Sequence, residues 1–251
     1  MTELKNISYS EESPAQVLDL YIPENTKSVF LYFHGGGLEF GDKRDPSTYA
    51  QFLSDRSIAL VSANYRMYPK AKYPEFIIDA AKAVKWTYDY MRENLGCDKL
   101  YVGGSSAGGY LSMMLCFDKS YLEAEGLSPF DVSGYLHDAG QPTTHFNVLR
   151  ERGIDTRRLV VDEAAPLYYI GIEPSYPPMR FIVSDNDMPS RYEQTMLVSS
   201  TLKHFGYQNF DYIVIHGSHC EYVHKTDENG VGKLGPIISD FIDKMECTEK
   251  N

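Results

Sequence analysis

A Gly-x-Ser-x-Gly pattern, GSSAG at residues 104–108, carries the side chain best suited to nucleophilic chemistry. It directly follows the apolar run Leu100–Val102 and directly precedes a helical pattern. A serine in such a strand-to-helix turn is held in a strained conformation with its Oγ exposed, and the flanking glycines prevent collisions with neighbouring backbone. A glycine- and serine-rich turn without chemistry would share this composition, but its position between a strand and a helix favours Ser106 as a nucleophile.

A second motif, His34 followed by three glycines, comes at the end of the apolar run Val29–Phe33. Glycines in such a place let backbone N–H groups turn toward a crevice with no side chain in the way, so they could bind a developing oxyanion. The N–H of Ala107, next to Ser106 at the start of a helix, would be a further donor. A flexible turn is the alternative interpretation of the glycines.

A serine nucleophile needs a general base, and a histidine after the last strand is the usual one. Of the seven histidines, His216 and His219 follow the run Phe210–Ile215. We favour His219, because it lies beyond a glycine in the loop, whereas His216 continues the strand and is expected to pack or to bond to backbone. The other candidates are less well placed: His34 is part of the glycine turn, His204 lies in a helical pattern, and His137 and His145 lie in an irregular middle segment. A zinc site of His216, His219, Cys220 and His224 fits no helix-borne spacing, and we predict no metal and no cofactor.

The acid that orients the base should follow the preceding strand, in the chain order Ser, Asp, His. The loop after Met179–Val183 offers Asp185 and Asp187. We favour Asp187, because its greater distance from the strand lets the loop curl back under the histidine. Either aspartate could instead cap the following helix or form an Asx-turn.

The elements that must position these residues are short apolar runs alternating with amphipathic patterns. Strands are expected at 17–21, 29–33, 58–63, 100–102, 132–136, 179–183 and 212–215, and helices at 74–91, 107–117, 191–205 and 234–245. A parallel crossover needs a connection about as long as a helix, so this alternation predicts an α/β fold with a mostly parallel sheet covered on both faces. Chemistry should then lie at the carboxyl ends of the strands.

The composition of the 251 residues, 43% apolar and 24% charged, predicts a single domain over 1–251. Within it, residues 118–166 fit the alternation only partly and form either a small cap or an elaborated crossover. A formal charge of −11 argues against a nucleic-acid partner. The polar start and the lack of a long apolar window predict a soluble cytoplasmic protein without a membrane partner. The four cysteines, Cys97, Cys116, Cys220 and Cys247, are spaced as reduced thiols, and the oligomeric state is left open.

Together, these motifs resemble the α/β-hydrolase fold, and within it the carboxylesterases of the hormone-sensitive-lipase and small acyl-carbohydrate esterase families. The resemblance runs from Val17 to about Met245 and includes the segment with Asn64-Tyr65-Arg66, Tyr73-Pro74 and Asp79-Ala80. It implies Ser106 as nucleophile, His219 as base, Asp187 as its partner, and Gly36, Gly37 and Ala107 as oxyanion donors. The chain departs from the family at Ser105, where lipase-like members have an acid, and at Ser184, where a glycine is usual and which leaves Asp185 open.

The resemblance implies a serine carboxylesterase that hydrolyses short-chain esters, above all acetyl esters, including those on carbohydrates. The abundance of tyrosines, 20 in all, agrees with sugar stacking, although tyrosines also fill cores. Only about sixteen residues precede the first expected strand, so a broad lid for long acyl chains is not expected. Two alternatives stay open: a small serine peptidase of the same fold, and a non-catalytic ligand-binding homologue.

Overall fold

The centre of the molecule is an eight-stranded sheet with helices on both faces. The computed structural model describes residues 1–44 and 46–248. The strands are β1 (Thr2–Ser8), β2 (Val17–Ile22), β3 (Ser28–Phe33), β4 (Ile58–Ala63), β5 (Leu100–Ser105), β6 (Gly134–Asp138), β7 (Met179–Asn186) and β8 (Phe210–Ser218). The helices are α1 (Ser47–Ser54), α2 (Glu75–Tyr90), α3 (Ala107–Phe117), α4 (Ser120–Ala124), α5 (Phe146–Glu151), α6 (Pro166–Tyr169), α7 (Arg191–His204), α8 (Glu221–His224) and α9 (Leu234–Thr248). A π-helical turn, Met91–Leu95, extends α2.

The sheet has the order β1-β2-β4-β3-β5-β6-β7-β8. Strands β3 to β8 pair in parallel, whereas β2 pairs antiparallel with both β1 and β4. The prediction of an α/β fold with a mostly parallel sheet is therefore confirmed. Because the parallel strands point the same way, the residues that follow β3, β5, β6, β7 and β8 meet along one edge of the sheet.

Two apolar clusters, one on each face, explain why these segments fold as they do. On one face α2, α3 and α7 pack against the sheet, with Phe76 and Tyr110 among the buried side chains. On the other face α1 and α9 pack, with Tyr49 and Phe241. Every residue of β3, β4 and α3 is buried, which is why these segments read as continuous apolar runs. The helix α3 thus holds the residue before it, Ser106, firmly against the sheet.

The observed elements differ from the expected ones where the local pattern is weak. Strand β4 and helix α3 have the expected bounds, and β6 begins at Gly134 rather than at 132. The expectation that no strand precedes Val17 is wrong, because Thr2–Ser8 forms the edge strand β1. Its residues are mostly exposed and polar, so they lack the apolar alternation of an inner strand. The short helices α1, α4, α5, α6 and α8 were not expected either.

The segment 118–166 contributes both to the sheet and to its carboxyl edge. Its strand β6 lies between β5 and β7 and so belongs to the central sheet. After β6 come α5 and a long loop, and the first residue of α5, Phe146, lines the cavity beside Ser106. A lid function for this later part stays a prediction.

Three cysteines are free thiols in buried positions, namely Cys97, Cys116 and Cys220. The side chain of Cys247 lies outside the described part of the structure. Of the helices in the described ranges, none combines the length and the hydropathy that crossing a bilayer requires.

Candidate active site

Ser106 occupies a sharp turn between β5 and α3. Its φ of 55° and ψ of −111° lie outside the regions that L-residues favour, at a cost of about 1–3 kcal/mol. The backbone N–H of Ser106 donates to the carbonyl of Asp138 at 2.7 Å, which ties the turn to the end of β6. Close approach explains Gly108 in the motif, because an added Cβ would lie 1.9 Å from the carbonyl oxygen of Phe33. The turn therefore brings the serine hydroxyl to the carboxyl edge of the sheet.

His219 lies just after β8 and connects Ser106 with Asp187. Its Nε2 is 2.8 Å from Ser106 Oγ, and its Nδ1 is 2.5 Å from Asp187 Oδ1. An ionised carboxylate only accepts hydrogen bonds, so the Nδ1 atom carries the proton and Nε2 of the neutral ring accepts from the serine hydroxyl. The structure thus brings together the three side chains that the sequence analysis favoured.

Asp187 is held ionised by its surroundings. Its side chain is fully buried, whereas that of His219 is 21% exposed. Burial alone would raise the pKa of Asp187, but hydrogen bonds from His219 and from the amides of Met188 and Ser184 keep that pKa below its usual value. A buried, ionised carboxylate in this place can fix the orientation of the imidazole and stabilise its protonated form.

The competing aspartate, Asp185, makes a different pair. Its Oδ2 is 2.8 Å from His216 Nδ1, and its Oδ1 accepts from the amide of Gly217 at 3.0 Å. The side chain of His216 is 97% exposed. The expectation that His216 packs or bonds to backbone is therefore wrong: His216 does belong to β8, but its ring leaves the sheet and binds a surface carboxylate.

The glycine turn lies directly beside Ser106. An added Cβ on Gly35 would lie 3.3 Å from the Cβ of Ser106. Gly36 has a φ of 106° and Gly37 a φ of 64°, conformations that L side chains rarely adopt. Among the described residues, no oxygen accepts a hydrogen bond from the amide of either Gly36 or Gly37. Unpaired amides at the edge of a crevice are available to an oxyanion.

One residue of the next segment contacts this turn, and the residue after it fixes that segment to α2. The hydroxyl of Tyr65 donates to the carbonyl of His34 at 3.0 Å, and the two rings stack with centroids 4.6 Å apart. Arg66 binds Asp79 in α2 through several hydrogen bonds, the shortest of 2.7 Å. The segment that begins at Asn64 is therefore anchored to α2 and hydrogen-bonds the residue at the start of the glycine turn.

A cavity of about 500 Å³ joins the glycine turn and the serine. Gly36, Gly37, Ser106 and His219 line it, together with apolar side chains that include Phe146. Ala107 is buried at the first position of α3, where a helix leaves its first amides without partners inside the helix. The third expected oxyanion donor thus lies next to Ser106.

A buried carboxylate, Asp138, was missed by the sequence analysis. Its Oδ2 accepts from Ser105 Oγ at 2.5 Å, and its Oδ1 accepts from the hydroxyl of Tyr222. Tyr32 in turn donates to Ser105 Oγ at 3.0 Å. Burial raises the pKa of Asp138 to about 6, against the lowering effect of hydrogen bonds from Ser105 and Tyr222. Since β6 pairs with β5 and opposes Asp138 to Ser105, the end of β6 was the signal that could have found it.

The position of Asp138 connects the two halves of the candidate site. Its carbonyl holds the amide of Ser106, and its carboxyl group holds the residue before that serine. The same carboxyl group binds Tyr222 in α8, three residues after His219. The carboxyl group of Asp138 thus accepts a hydrogen bond from Ser105, a position at which the sequence departs from the family that it resembles.

Of the five remaining histidines, His224 lines the first cavity and the other four have different surroundings. His34 Nδ1 donates to the carbonyl of Gly35 at 2.7 Å, and His145 caps α5 by accepting from the amide of Asn147. His137 lies in β6, where burial lowers its pKa to about 3. His204 is exposed at the end of α7. Within residues 1–44 and 46–248, no group of three or more His, Cys, Asp or Glu side chains is arranged to hold a metal ion.

The sheet order, the turn at Ser106 and the chain order of the three polar side chains define an α/β-hydrolase. The structure of Esterase B from Lactobacillus Rhamnosis (HN001) is similar, with a TM-score of 0.79 at 18% identity over 99% of this chain and 87% of that one. A truncated carbohydrate esterase from gut microbiota has a TM-score of 0.77 at 16% identity, over 98% of this chain and 97% of that one. At such identities, these two likenesses bear on the fold alone.

Sequence comparison connects the chain more narrowly to carboxylesterases. The family model described as BD-FAE matches residues 18–131. Esterase LipI of Mycobacterium tuberculosis is 32% identical over 123 residues, which are 45% of this chain and 38% of that protein. The chain spans between 23% and 38% of the lengths of the first curated relatives that it matches. The chain thus has the α/β-hydrolase fold and is similar in sequence to carboxylesterases over less than half of its length, as the resemblance in its motifs predicted.

Proposed function

We propose that this protein is a serine carboxylesterase that hydrolyses short-chain esters, with acetyl esters as the preferred class. The observation that carries the proposal is the continuous hydrogen-bond chain from Asp187 through His219 to Ser106. It ends beside a glycine turn with unpaired amides, which is the arrangement that acyl transfer requires. The relationship to esterases in sequence supports the same chemistry.

The reaction begins when Ser106 Oγ attacks the ester carbonyl carbon and its proton passes to Nε2 of His219. Asp187 stabilises the imidazolium that forms. The carbonyl oxygen becomes an oxyanion and receives hydrogen bonds from the backbone N–H groups of Gly36, Gly37 and Ala107. Each such donor contributes about 3–4 kcal/mol to the transition state.

The tetrahedral intermediate then collapses to an acyl-enzyme. The C–O bond to the alcohol breaks, and the leaving alcohol takes the proton from His219 Nε2. A water molecule, deprotonated by the same nitrogen, attacks the acyl carbon, and the second collapse returns Ser106 and releases the acid. His219 accepts and returns the proton in each step, and the backbone amides stabilise the oxyanion, so the sequence of steps balances without a cofactor.

The preference for short acyl groups rests on the walls of the cavity. The ring of Phe146 packs against the glycine turn, where an added Cβ on Gly37 would lie 2.8 Å from its Cζ. This contact closes one side of the cavity beside the oxyanion amides, and we infer that the acyl group bound there is short. The structural likeness to a carbohydrate esterase makes acetylated sugars the first natural class to examine.

A panel of p-nitrophenyl esters from acetate to decanoate, together with acetylated sugars, tests the proposal. We expect kcat/KM to be largest for acetate to butyrate and to vanish in the Ser106→Ala variant. Turnover of peptides or of long-chain esters alone would contradict the substrate class. Tight binding of esters by the wild-type protein without turnover would instead identify a ligand-binding homologue.

A further inference from the structure

A second cavity adjoins the candidate active site. It has a volume of about 430 Å³ and shares the side chains of Phe146 and Met188 with the first cavity. Its other walls are the loop that follows α5 and the first turn of α7. A group attached to a bound ester could therefore extend from the serine into this second space.

Three arginines line the second cavity, and among the residues that the structure describes no Asp or Glu side chain lines it. Arg157 and Arg158 come from the loop after α5, and Arg191 comes from the first turn of α7. The N-terminus of α7 adds the positive end of a helix dipole. In a chain with a formal charge of −11, this concentration of cations is opposite in sign to the protein as a whole.

Arg191 is a buried cation without an ion-pair partner among the described residues. It is 5% exposed, and its guanidinium donates to the carbonyl of Ala139 at 2.9 Å and to Gln141 Oε1 at 3.4 Å. Its Nε and the Oε1 of the neighbouring Gln194 have no hydrogen-bond partner. A buried charge normally requires an opposite charge nearby. The nearby carboxylate, Asp187, is engaged by His219.

The two loop arginines differ in how far they are neutralised. Arg157 binds the carboxylate of Asp155, with its Nη2 2.6 Å from Oδ2. The exposed side chain of Arg158 makes no ion pair or hydrogen bond to the described residues. Positive charge therefore exceeds negative charge at this wall, and Arg158 is the arginine freest to bind a ligand.

We propose that the second cavity binds an anionic oxygen group, such as a carboxylate or a phosphate, carried by the ester substrate. This inference rests on the proposed esterase function and narrows its substrate class to acidic esters. Arginine fits carboxylate and phosphate geometry, and such charge-assisted hydrogen bonds are stronger than neutral ones. The sugar derivatives that fit both cavities are acetylated uronic acids and acetylated sugar phosphates.

Matched substrates test the inference. We would compare kcat/KM for an acetylated methyl glucoside, the corresponding methyl glucuronoside and the corresponding glucoside 6-phosphate. The wild-type protein should favour at least one of the acidic esters over the neutral one by about tenfold or more. The acidic ester with the higher kcat/KM relative to the neutral ester identifies the anionic group. Equal kcat/KM values for all three esters would overturn the inference.

The Arg158→Gln variant should lower the acidic-to-neutral ratio of kcat/KM by about tenfold, because it removes one charge-assisted contact. The matched control is Arg150→Gln, since Arg150 is an exposed arginine of α5 that pairs with Glu39 and does not line the cavity. The control should keep the wild-type ratio. An equal loss in both variants would indicate a general effect of net charge and would contradict a built subsite.

A binding measurement separates this inference from the proposed function. The Ser106→Ala variant is titrated by calorimetry with the non-acetylated methyl glucuronoside and glucoside 6-phosphate. We expect binding that weakens with added salt and with the further change Arg158→Gln. Absence of binding together with hydrolysis of neutral esters would overturn the subsite and leave the esterase standing. Salt-sensitive binding without any esterase activity would instead overturn the proposed esterase function and leave the anion subsite standing.

Discussion

Two histidine–aspartate pairs lie at the same edge of the sheet. Asp185 and His216 lie at the ends of β7 and β8, and Asp187 and His219 come just after those ends. His219 with Asp187 and His216 with Asp185 both join Nδ1 of an imidazole to a carboxylate oxygen, at 2.5 Å and 2.8 Å. In the first pair the carboxylate is fully buried and the second ring nitrogen meets Ser106. In the second pair the imidazole is 97% exposed.

The difference shows that residue types alone do not make a catalytic pair. An exposed ion pair is screened by water and salt, so its orientation and its charges have little effect on a neighbour. A buried carboxylate fixes the tautomer and the direction of its imidazole, and a third group must stand at the other nitrogen to use them. Only the pair of His219 and Asp187 meets both conditions.

The largest expected effect separates the two histidines. His219→Ala and Ser106→Ala should each lower kcat on p-nitrophenyl acetate by about 10⁴- to 10⁶-fold, and the double variant should lose little more, because these groups act as a unit. His216→Ala, the matched control, should keep kcat near the wild-type value. Equal losses in the two histidine variants, or additive losses in the double variant, would break the comparison.

The aspartates should differ in the same direction by a smaller factor. Asp187→Asn should reduce kcat by about 10³- to 10⁴-fold, because an amide that donates to Nδ1 favours the wrong tautomer. Asp185→Asn should leave kcat almost unchanged. Initial rates with p-nitrophenyl acetate at saturation measure both, and a silent Asp187→Asn variant would transfer the role to Asp185.

A third carboxylate, Asp138, sharpens the comparison, because it is buried without an imidazole partner. Its pKa is raised to about 6 in the folded protein, so its contribution to stability is present at low pH and is lost as the pH rises toward and through 6. With the usual value of about 4 in the unfolded chain, the loss amounts to about 3 kcal/mol. Asp138→Asn cannot ionise, so its stability relative to wild type should rise by about that amount between acid and neutral pH.

Urea unfolding of the wild-type and Asp138→Asn proteins across this pH range measures the difference in the free energy of unfolding. The hydroxyls of Ser105 and Tyr222 can rotate to match an amide, so a folded variant is expected. A difference that stays constant with pH would mean that the pKa of Asp138 is the same in the folded and the unfolded chain, and it would contradict the raised pKa.

The smallest expected effect concerns the exposed pair of His216 and Asp185. Asp185 raises the pKa of His216, mainly through their hydrogen bond, so the contribution of this pair to stability is present at mildly acidic pH and fades as the pH rises. His216→Ala should therefore lower Tm slightly in mildly acidic, low-salt buffer and not in alkaline or high-salt buffer. A pH-independent loss of stability in this variant would mean that the ring contributes by packing instead.

The sequence predicted most where function and folding depend on local pattern. The bounds of β4 and α3 follow from continuous apolar runs between turn residues, and the motifs around Ser106 and Gly36 contain their own backbone requirements. The edge strand β1 was not predicted, because its mostly exposed residues form no apolar face.

Contacts between distant parts of the chain could not be predicted in this way. Asp138 acquires its role from the pairing of β6 with β5. His216, at the end of β8, differs from His219, just after β8, because its side chain points out to solvent. The second cavity likewise depends on where the loop after α5 meets α7. Such positions follow from tertiary packing, to which spacing along the sequence gives no direct access.

The most direct test of the account is covalent labelling with a fluorophosphonate probe, followed by peptide mass mapping. The account predicts a single modified peptide carrying the label on Ser106 in the wild-type protein and in the His216→Ala variant. It predicts no label in His219→Ala, because that serine then lacks its base. A label on another residue, or labelling of Ser106 that persists unchanged without His219, would contradict the account.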